Sequence, residues 1–207
     1  MKTLMDLSVK GLLKQTASDQ PVPGGGSICA LAAAFAAGLV EMVAGLTIGK
    51  KGYEDHLTAM KTMLDSAAGL REKTIRSVDE DAVAYDAVFQ SFKLPQKTDA
   101  QKSARKNAIQ EGLKRAAQVP LDVAKCGWQI LCLTENAIEK GNRNTITDGA
   151  VAAMMARSAI FGALLNVKIN LQSIQDPEWV AQISTQVATL EKKTTEKETS
   201  ILDQVVL

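Results

Sequence analysis

The sequence predicts an all-α protein, an up-and-down bundle of long helices forming a single domain over residues 1–207. Three observations carry that expectation. Apolar residues recur at three- and four-residue spacing almost throughout, with no convincing run of alternating strand character. The stretch from Glu54 to Phe92 keeps that spacing for many turns without a proline. Proline and glycine gather at a few points, where they punctuate the pattern.

Taken in order, helix one covers roughly residues 2–16, with Lys2, Asp6 and Lys10 among apolar neighbours, and lacks a secretory h-region. A Pro/Gly loop leads to helix two, from Ser27 to about Thr47, which Gly49 and Gly52 end. Its uncharged run from Ile28 to Val40 is too short, too rich in Ala and Gly and too soon followed by Glu41 for a membrane span, so it reads as a buried central helix. Helix three runs from about Glu54 to Phe92. Leu57, Met60, Leu64, Ala67, Arg71, Thr74, Val78, Asp81, Tyr85, Val88 and Phe92 form its seam, and Leu94-Pro95 stops it. Helix four begins near Thr98 or Asp99 and reaches about Lys140, with Pro120 expected to kink or divide it. After Gly141-Asn142-Arg143-Asn144, Thr147 or Asp148 caps helix five, which reaches Leu171. Asp176-Pro177 starts the last helix.

Composition narrows the chemistry. The net charge is +1 with both signs interspersed, which gives no support to a nucleic-acid groove or an anionic membrane surface. Cys29, Cys126 and Cys132 are odd in number and form no Cys-x-x-Cys pair, so they read as core thiols in a reducing, cytoplasmic compartment. One histidine, His56, excludes a multi-histidine metal site, and no metal is expected.

The sharpest motif is Pro21-Val22-Pro23-Gly24-Gly25-Gly26-Ser27, running straight into the Ala-rich helix. The prolines stiffen the approach, the glycines permit close backbone contacts, and Ser27 is a good N-cap. A bare helix N-terminus of this kind suits an anion, although the glycines also suit a tight turn into a buried helix. On helix three, Asp79-Glu80-Asp81, with Asp86 one heptad after Asp79, is a candidate acid/base cluster, because a carboxylate on a buried seam is costly unless paired or used. Asp79 and Asp81 leave the helix on roughly opposite sides, so one of them should face a site. Alternatively, Asp81 bonds a neighbouring helix or Arg71 in a structural network. On helix five, Asn166 and Asn170 stand at i and i+4 and put two amides on one face. Asp148 lies about 27 Å before Asn166 along the axis, too far for one compact site within a subunit. Lys50, Lys51 and Arg105 are possible anion partners. Met154-Met155, Trp128 and Trp179 read as packing residues.

Over nearly its whole length the chain resembles the cyclodeaminase/cyclohydrolase family of folate one-carbon metabolism. The matching segments are Pro23-Gly24-Gly25-Gly26-Ser27 with its helix, Met42-Val43, Leu46-Thr47-Ile48-Gly49-Lys50-Lys51, and Asp79-Glu80-Asp81-Ala82 with Tyr85. They continue through Leu94-Pro95, Arg105, Gln110-Glu111-Gly112-Leu113, Val119-Pro120-Leu121, Gly141-Asn142, Asp148 and Asn166-Val167-Lys168-Ile169-Asn170-Leu171. The resemblance implies an all-helical homodimer, a tetrahydrofolate derivative as substrate and no prosthetic group.

It further implies either closure of 5-formiminotetrahydrofolate to 5,10-methenyltetrahydrofolate with release of ammonia, narrowly favoured, or hydrolysis of the methenyl bridge to 10-formyltetrahydrofolate. On that footing Asp79 or Asp81 transfers the proton. Lys50 or Lys51 favours the ionised form and holds an anionic part of folate, Asn166 and Asn170 orient the ring, and the turn from Pro23 through Gly24, Gly25 and Gly26 to Ser27 meets the folate or its glutamate tail. The 207 residues hold no formiminotransferase segment, so the transferase step falls to another protein. A reading of another class is a non-catalytic helical dimerisation module.

Overall fold

A computed structural model describes residues 3–206 and, among them, contains helices and no strands. Six α-helices follow in order: α1 (Val9–Thr16), α2 (Gly25–Thr47), α3 (Leu57–Ser91), α4 (Asp99–Lys140), α5 (Ile146–Leu171) and α6 (Pro177–Leu202). Short connections make successive helices antiparallel. Helices α2, α3, α4 and α5 form a four-helix ring in which each packs on the next and α5 closes back on α2. Helix α6 lies against α4 and α5.

The centre of the ring is built from small side chains. Ala30, Ala33, Ala37 and Ala44 of α2 face Ala152, Ala156, Ala159 and Ala163 of α5, all fully buried. Small residues let helix axes approach closely, and Val40, Val43, Ile160 and Leu164 fill the remaining space. Both α2 and the span Arg143–Leu171 are long and apolar enough to cross a bilayer, yet 44% and 50% of their most apolar windows are buried inside the bundle.

Several element boundaries differ from those expected, each for a local reason. The expected first helix is broken. A 3-10 turn over Leu4–Asp6 precedes α1, because Asp6 accepts the Thr3 N–H (2.9 Å) and Ser8 caps α1 by accepting the Gly11 N–H (3.1 Å). Lys2, expected in that helix, lies outside the described residues. Helix α2 starts at Gly25 with Gly24 as its N-cap, so Ser27 is inside the first turn and does not cap. Helix α5 starts at Ile146 behind a 3-10 turn over Arg143–Thr145, which places Thr147 and Asp148 inside it.

Pro120 does not divide α4, which is continuous and buries the proline. A proline cannot donate to the carbonyl four residues back, here Ala116. Asn170 of α5 supplies the missing donor, its Nδ2 lying 3.0 Å from Ala116 O. The α3 seam is buried at Met60, Ala67, Thr74 and Val78, but Tyr85 and Phe92 leave the core and are about half exposed. Met154, expected as core filler, is likewise 48% exposed.

Candidate active site

The N-terminus of α2, the middle of α3, Ala116 of α4 and the C-terminal part of α5 enclose a cavity of about 330 Å³. That volume lies within the range of small-molecule sites. Gly24, Gly25 and Gly26 form one wall, Asp81, Tyr85 and Val88 the next, and Asn166, Ile169 and Asn170 the third.

Glycine is needed at Gly26 because of what stands opposite. A Cβ there would overlap the Asp81 carboxylate, whereas one on Gly25 would make ordinary contact 3.4 Å from Asn166 Nδ2. Gly26 thus lets an α3 side chain approach the first turn of α2, where N–H groups have no helical partner.

Asp81 is the carboxyl group of this wall. Burial pushes its carboxyl above the usual value, while hydrogen bonds from the Ser27 hydroxyl and the Ser27 N–H hold it down in part. Ser27 itself is fully buried, its Oγ 3.0 Å from both Asp81 Oδ2 and Val78 O. A hydroxyl has one proton and two lone pairs, so this trio is satisfied in either charge state. With Asp81 ionised, Ser27 donates to it; with Asp81 protonated, the carboxylic acid donates to Ser27, whose own proton turns to Val78 O. An aspartate held this way can accept and return a proton without stranding a buried polar atom.

Asn166 and Asn170 each commit their amide nitrogen to the backbone. Asn166 Nδ2 donates to Gly162 O (2.9 Å), and Asn170 Nδ2 donates to Asn166 O (2.9 Å) as well as to Ala116 O. Carbonyls only accept, so these bonds fix the nitrogens and leave both Oδ1 atoms as acceptors. The cavity is therefore lined by amide acceptors on α5 and by N–H donors on α2.

The other expected site residues lie elsewhere. Asp79 accepts the Leu4 N–H at 2.6 Å and ties the N-terminal turn to α3, away from the cavity. Pro23 is buried but does not line the cavity, and Ser27 acts on it only through Asp81. Lys50 and Lys51 follow the far end of α2, whose last residue Thr47 lies roughly 32 Å along the axis from Gly26. Within one chain they cannot touch Asp81. The Arg71 network is separate too, since Arg71 pairs with Glu41 (2.6 Å) and Glu72 (2.7 Å) and not with Asp81. Asp86 accepts from Gln90 on the surface.

Two neighbours of Asp81 were not singled out as site residues from the residues alone. Tyr85 stands one turn after Asp81 and brings a phenol to the cavity rim, a spacing that the seam already contained. Cys29, its thiol pushed up to about 11 by burial and then by the Asp81 charge, packs against Gly162, where a Cβ would overlap its sulfur.

A half-buried carboxylate facing amide groups across a cavity in an all-helical bundle suits a small-molecule site, and sequence comparison gives the family. A family model described as formiminotransferase-cyclodeaminase matches residues 8–189, and the chain belongs to that family. It is 39% identical to a methenyltetrahydrofolate cyclohydrolase of Methylorubrum extorquens, covering 82% of this chain and 81% of that one. It is 34% identical to a formimidoyltransferase-cyclodeaminase of Mus musculus over 84% of this chain, which spans about a third (32%) of that longer protein. The crystal structure of a formiminotetrahydrofolate cyclodeaminase from Thermotoga maritima superimposes with a TM-score of 0.88 at 27% identity, covering 97% of this chain and 96% of that one. The relatives are folate-converting enzymes, and this protein is an enzyme of their family rather than a non-catalytic dimerisation module.

Proposed function

We propose that the protein hydrolyses 5,10-methenyltetrahydrofolate to 10-formyltetrahydrofolate, with Asp81 as the proton-transfer group. The observation behind the chemistry is the Asp81–Ser27–Val78 trio beside the α2 N-terminus, in a cavity whose opposite wall presents two amide oxygens. The hydrolytic direction is favoured by the 39% identity to a cyclohydrolase matched along most of its length.

In this reading Asn166 and Asn170 accept the N–H edge of the pterin, and the turn over Gly24, Gly25 and Gly26 packs against the ring. Ionised Asp81 takes a proton from water as the water oxygen bonds to the bridging carbon. The carbon–N5 bond then breaks, Asp81 returns that proton to N5, and the hydroxyl proton leaves to solvent as the formyl C=O forms. One carboxyl serves as base and then as acid, as general acid–base catalysis allows.

The ring-closing deamination is the second reading, favoured by the likeness to the Thermotoga maritima cyclodeaminase. It uses the same carbon and the same aspartate, with the N10 proton passing to the departing ammonia. Absorbance of the methenyl compound separates the two. Catalysed loss from the methenyl substrate supports hydrolysis, gain from the formimino substrate supports deamination, and neither would reject both.

The protein works as a homodimer in the cytoplasm in this reading. Phe35, Met42 and Leu46 on α2 and Val151, Met154 and Leu165 on α5 are each between 39% and 63% exposed and follow helical stripes on the two most apolar helices. A two-fold axis across those stripes would run α2 of one subunit antiparallel to its copy. That is the arrangement in which Lys50 and Lys51 of one subunit would approach the cavity of the other and favour ionised Asp81.

A further inference from the structure

A second hollow, of about 300 Å³, adjoins the cavity, and Pro21, Val22 and Tyr85 line both. We infer that this hollow seats the aromatic amide carried on N10 of the substrate, with Tyr85 and Phe89 as the residues that select for an aryl group there. The inference rests on the folate reading above.

The cavity alone is small for such a substrate. Its 330 Å³ lies at the lower end of the range for ligand sites, about 300–1,000 Å³. A fused pterin head with an arylamine attached must extend past it, and the shared residues mark where the space continues. Helix α3 sets the distances. Tyr85 and Phe89 follow Asp81 by one and two turns, at about 6 and 12 Å along the axis, each step turning the face by roughly 40°. With the reacting carbon beside Asp81, ordinary bond lengths put the centre of the aryl ring on the order of 4 Å from that carbon and the amide about 7 Å from it. The ring therefore falls beside Tyr85, and the amide extends toward Phe89.

The walls of the hollow suit a neutral aromatic group. Tyr85 and Phe89 are 47% and 50% exposed, so both keep ring surface to offer. Lys93 Nζ lies 4.1 Å from the centroid of Phe89 and covers one face, which leaves the rest of that ring to meet the hollow. Aromatic pairs gain from offset or edge-to-face contact beyond the area they bury. No lysine or arginine lines the hollow, and its one charged residue is Asp86, which accepts from Gln90 Nε2 at 3.0 Å. Such a wall tolerates a ring and repels a carboxylate. Gln15 adds a partner for the amide: its Nε2 donates to Val22 O (3.4 Å), which leaves Oε1 to accept the substrate's amide N–H.

The test uses two neutral analogues of 5,10-methenyltetrahydrofolate, in which N10 carries either a 4-(methylcarbamoyl)phenyl group or a methyl group. Neither has a glutamate, so the comparison reads the ring and its amide alone. With each kcat/KM divided by the uncatalysed rate, the wild-type enzyme should prefer the aryl analogue about tenfold. Phe89→Leu and Tyr85→Leu should each lower that preference by about threefold or more. Phe92→Leu, at an equally exposed position on α3 that lines neither hollow, should leave it unchanged. A wild-type preference of one, or a preference that Phe89→Leu does not move, overturns the inference, while turnover of 5,10-methenyltetrahydrofolate itself still stands for the reaction. If that parent substrate is not turned over, the folate reading fails first. In that case, or if both analogues react too slowly to follow, saturation-transfer NMR with 4-(methylamino)-N-methylbenzamide decides the hollow alone. Binding that Phe89→Leu weakens keeps it as an aryl site; absence of binding, or binding that the variant leaves unchanged, removes it. Should neither leucine variant fold, the wild-type preference decides by itself.

Discussion

The proposed reaction asks Asp81 to do two incompatible things, to sit in a partly desolvated wall and to carry charge when the reaction begins. Its raised pKa follows from the first demand and its bonds to Ser27 from the second. For stability the sign is direct. A carboxyl whose folded pKa exceeds its unfolded value makes the folded state hold more protons, so stability falls as pH rises through that window and stays lowered above it. Asp81→Asn should therefore lose about 10²- to 10⁴-fold in kcat, the usual worth of a positioned acid/base group. Its melting temperature at pH 7 should be no lower than the parent's, with the difference closing toward pH 4; a cooperative loss of stability at neutral pH would show that the charge is structural. Ser27→Ala removes a donor to the ionised form, so the acid limb of the pH–rate profile should move to higher pH. An unmoved limb would take Ser27 out of the proton path. Asp79→Asn should leave kcat within a few-fold and instead weaken docking of the N-terminal turn, costing about 1–2 kcal/mol by denaturation.

At the scale of an element, the informative feature is the repair of α4. Pro120 leaves Ala116 O without its helical donor, and Asn170 reaches across from α5 to supply one beside the cavity. The same amide lines the cavity, so the helix defect and the candidate site share a part. Asn170→Ala should destabilise by about 0.5–1.5 kcal/mol, the net worth of a hydrogen bond to a half-buried acceptor. Pro120→Ala restores the N–H within α4. The double variant Pro120→Ala/Asn170→Ala should recover most of that loss in urea titrations while leaving activity impaired. If the cycle shows no coupling between the two positions, the repair is only apparent.

For the whole molecule, the apolar content of α2 and α5 exceeds what one bundle buries. Their inner faces are alanine-rich and fully covered, while Phe35, Leu46 and Leu165 on the outer stripes remain more than half exposed. Apolar stripes of that extent on a monomer call for a partner surface. Leu165→Glu should shift sedimentation from dimer to monomer and reduce kcat, if Lys50 and Lys51 act from the neighbouring subunit. Wild-type protein that sediments as a monomer at micromolar concentration would remove both the dimer and the lysines from the reading.

The sequence by itself determined the helical class, the order of the elements and the residue types of the site, because heptad spacing, Gly/Pro punctuation and the Asn166/Asn170 pair are local patterns. Helix boundaries shifted through local caps at α1, α2 and α5, and the readings of single polar residues failed where a side chain from another helix intervened. Ser27 looks like a cap along the chain, yet Asp81 and Val78 claim its hydroxyl. Pro120 looks like a break until Asn170 is placed beside it, and Asp79 and Asp81 are equivalent carboxylates until Leu4 occupies one of them. Only the tertiary structure decided these, since a hydrogen bond between residues fifty or more positions apart leaves no periodic trace in sequence. Burial, which sets the charge cost at Asp81, exists only after the helices have packed.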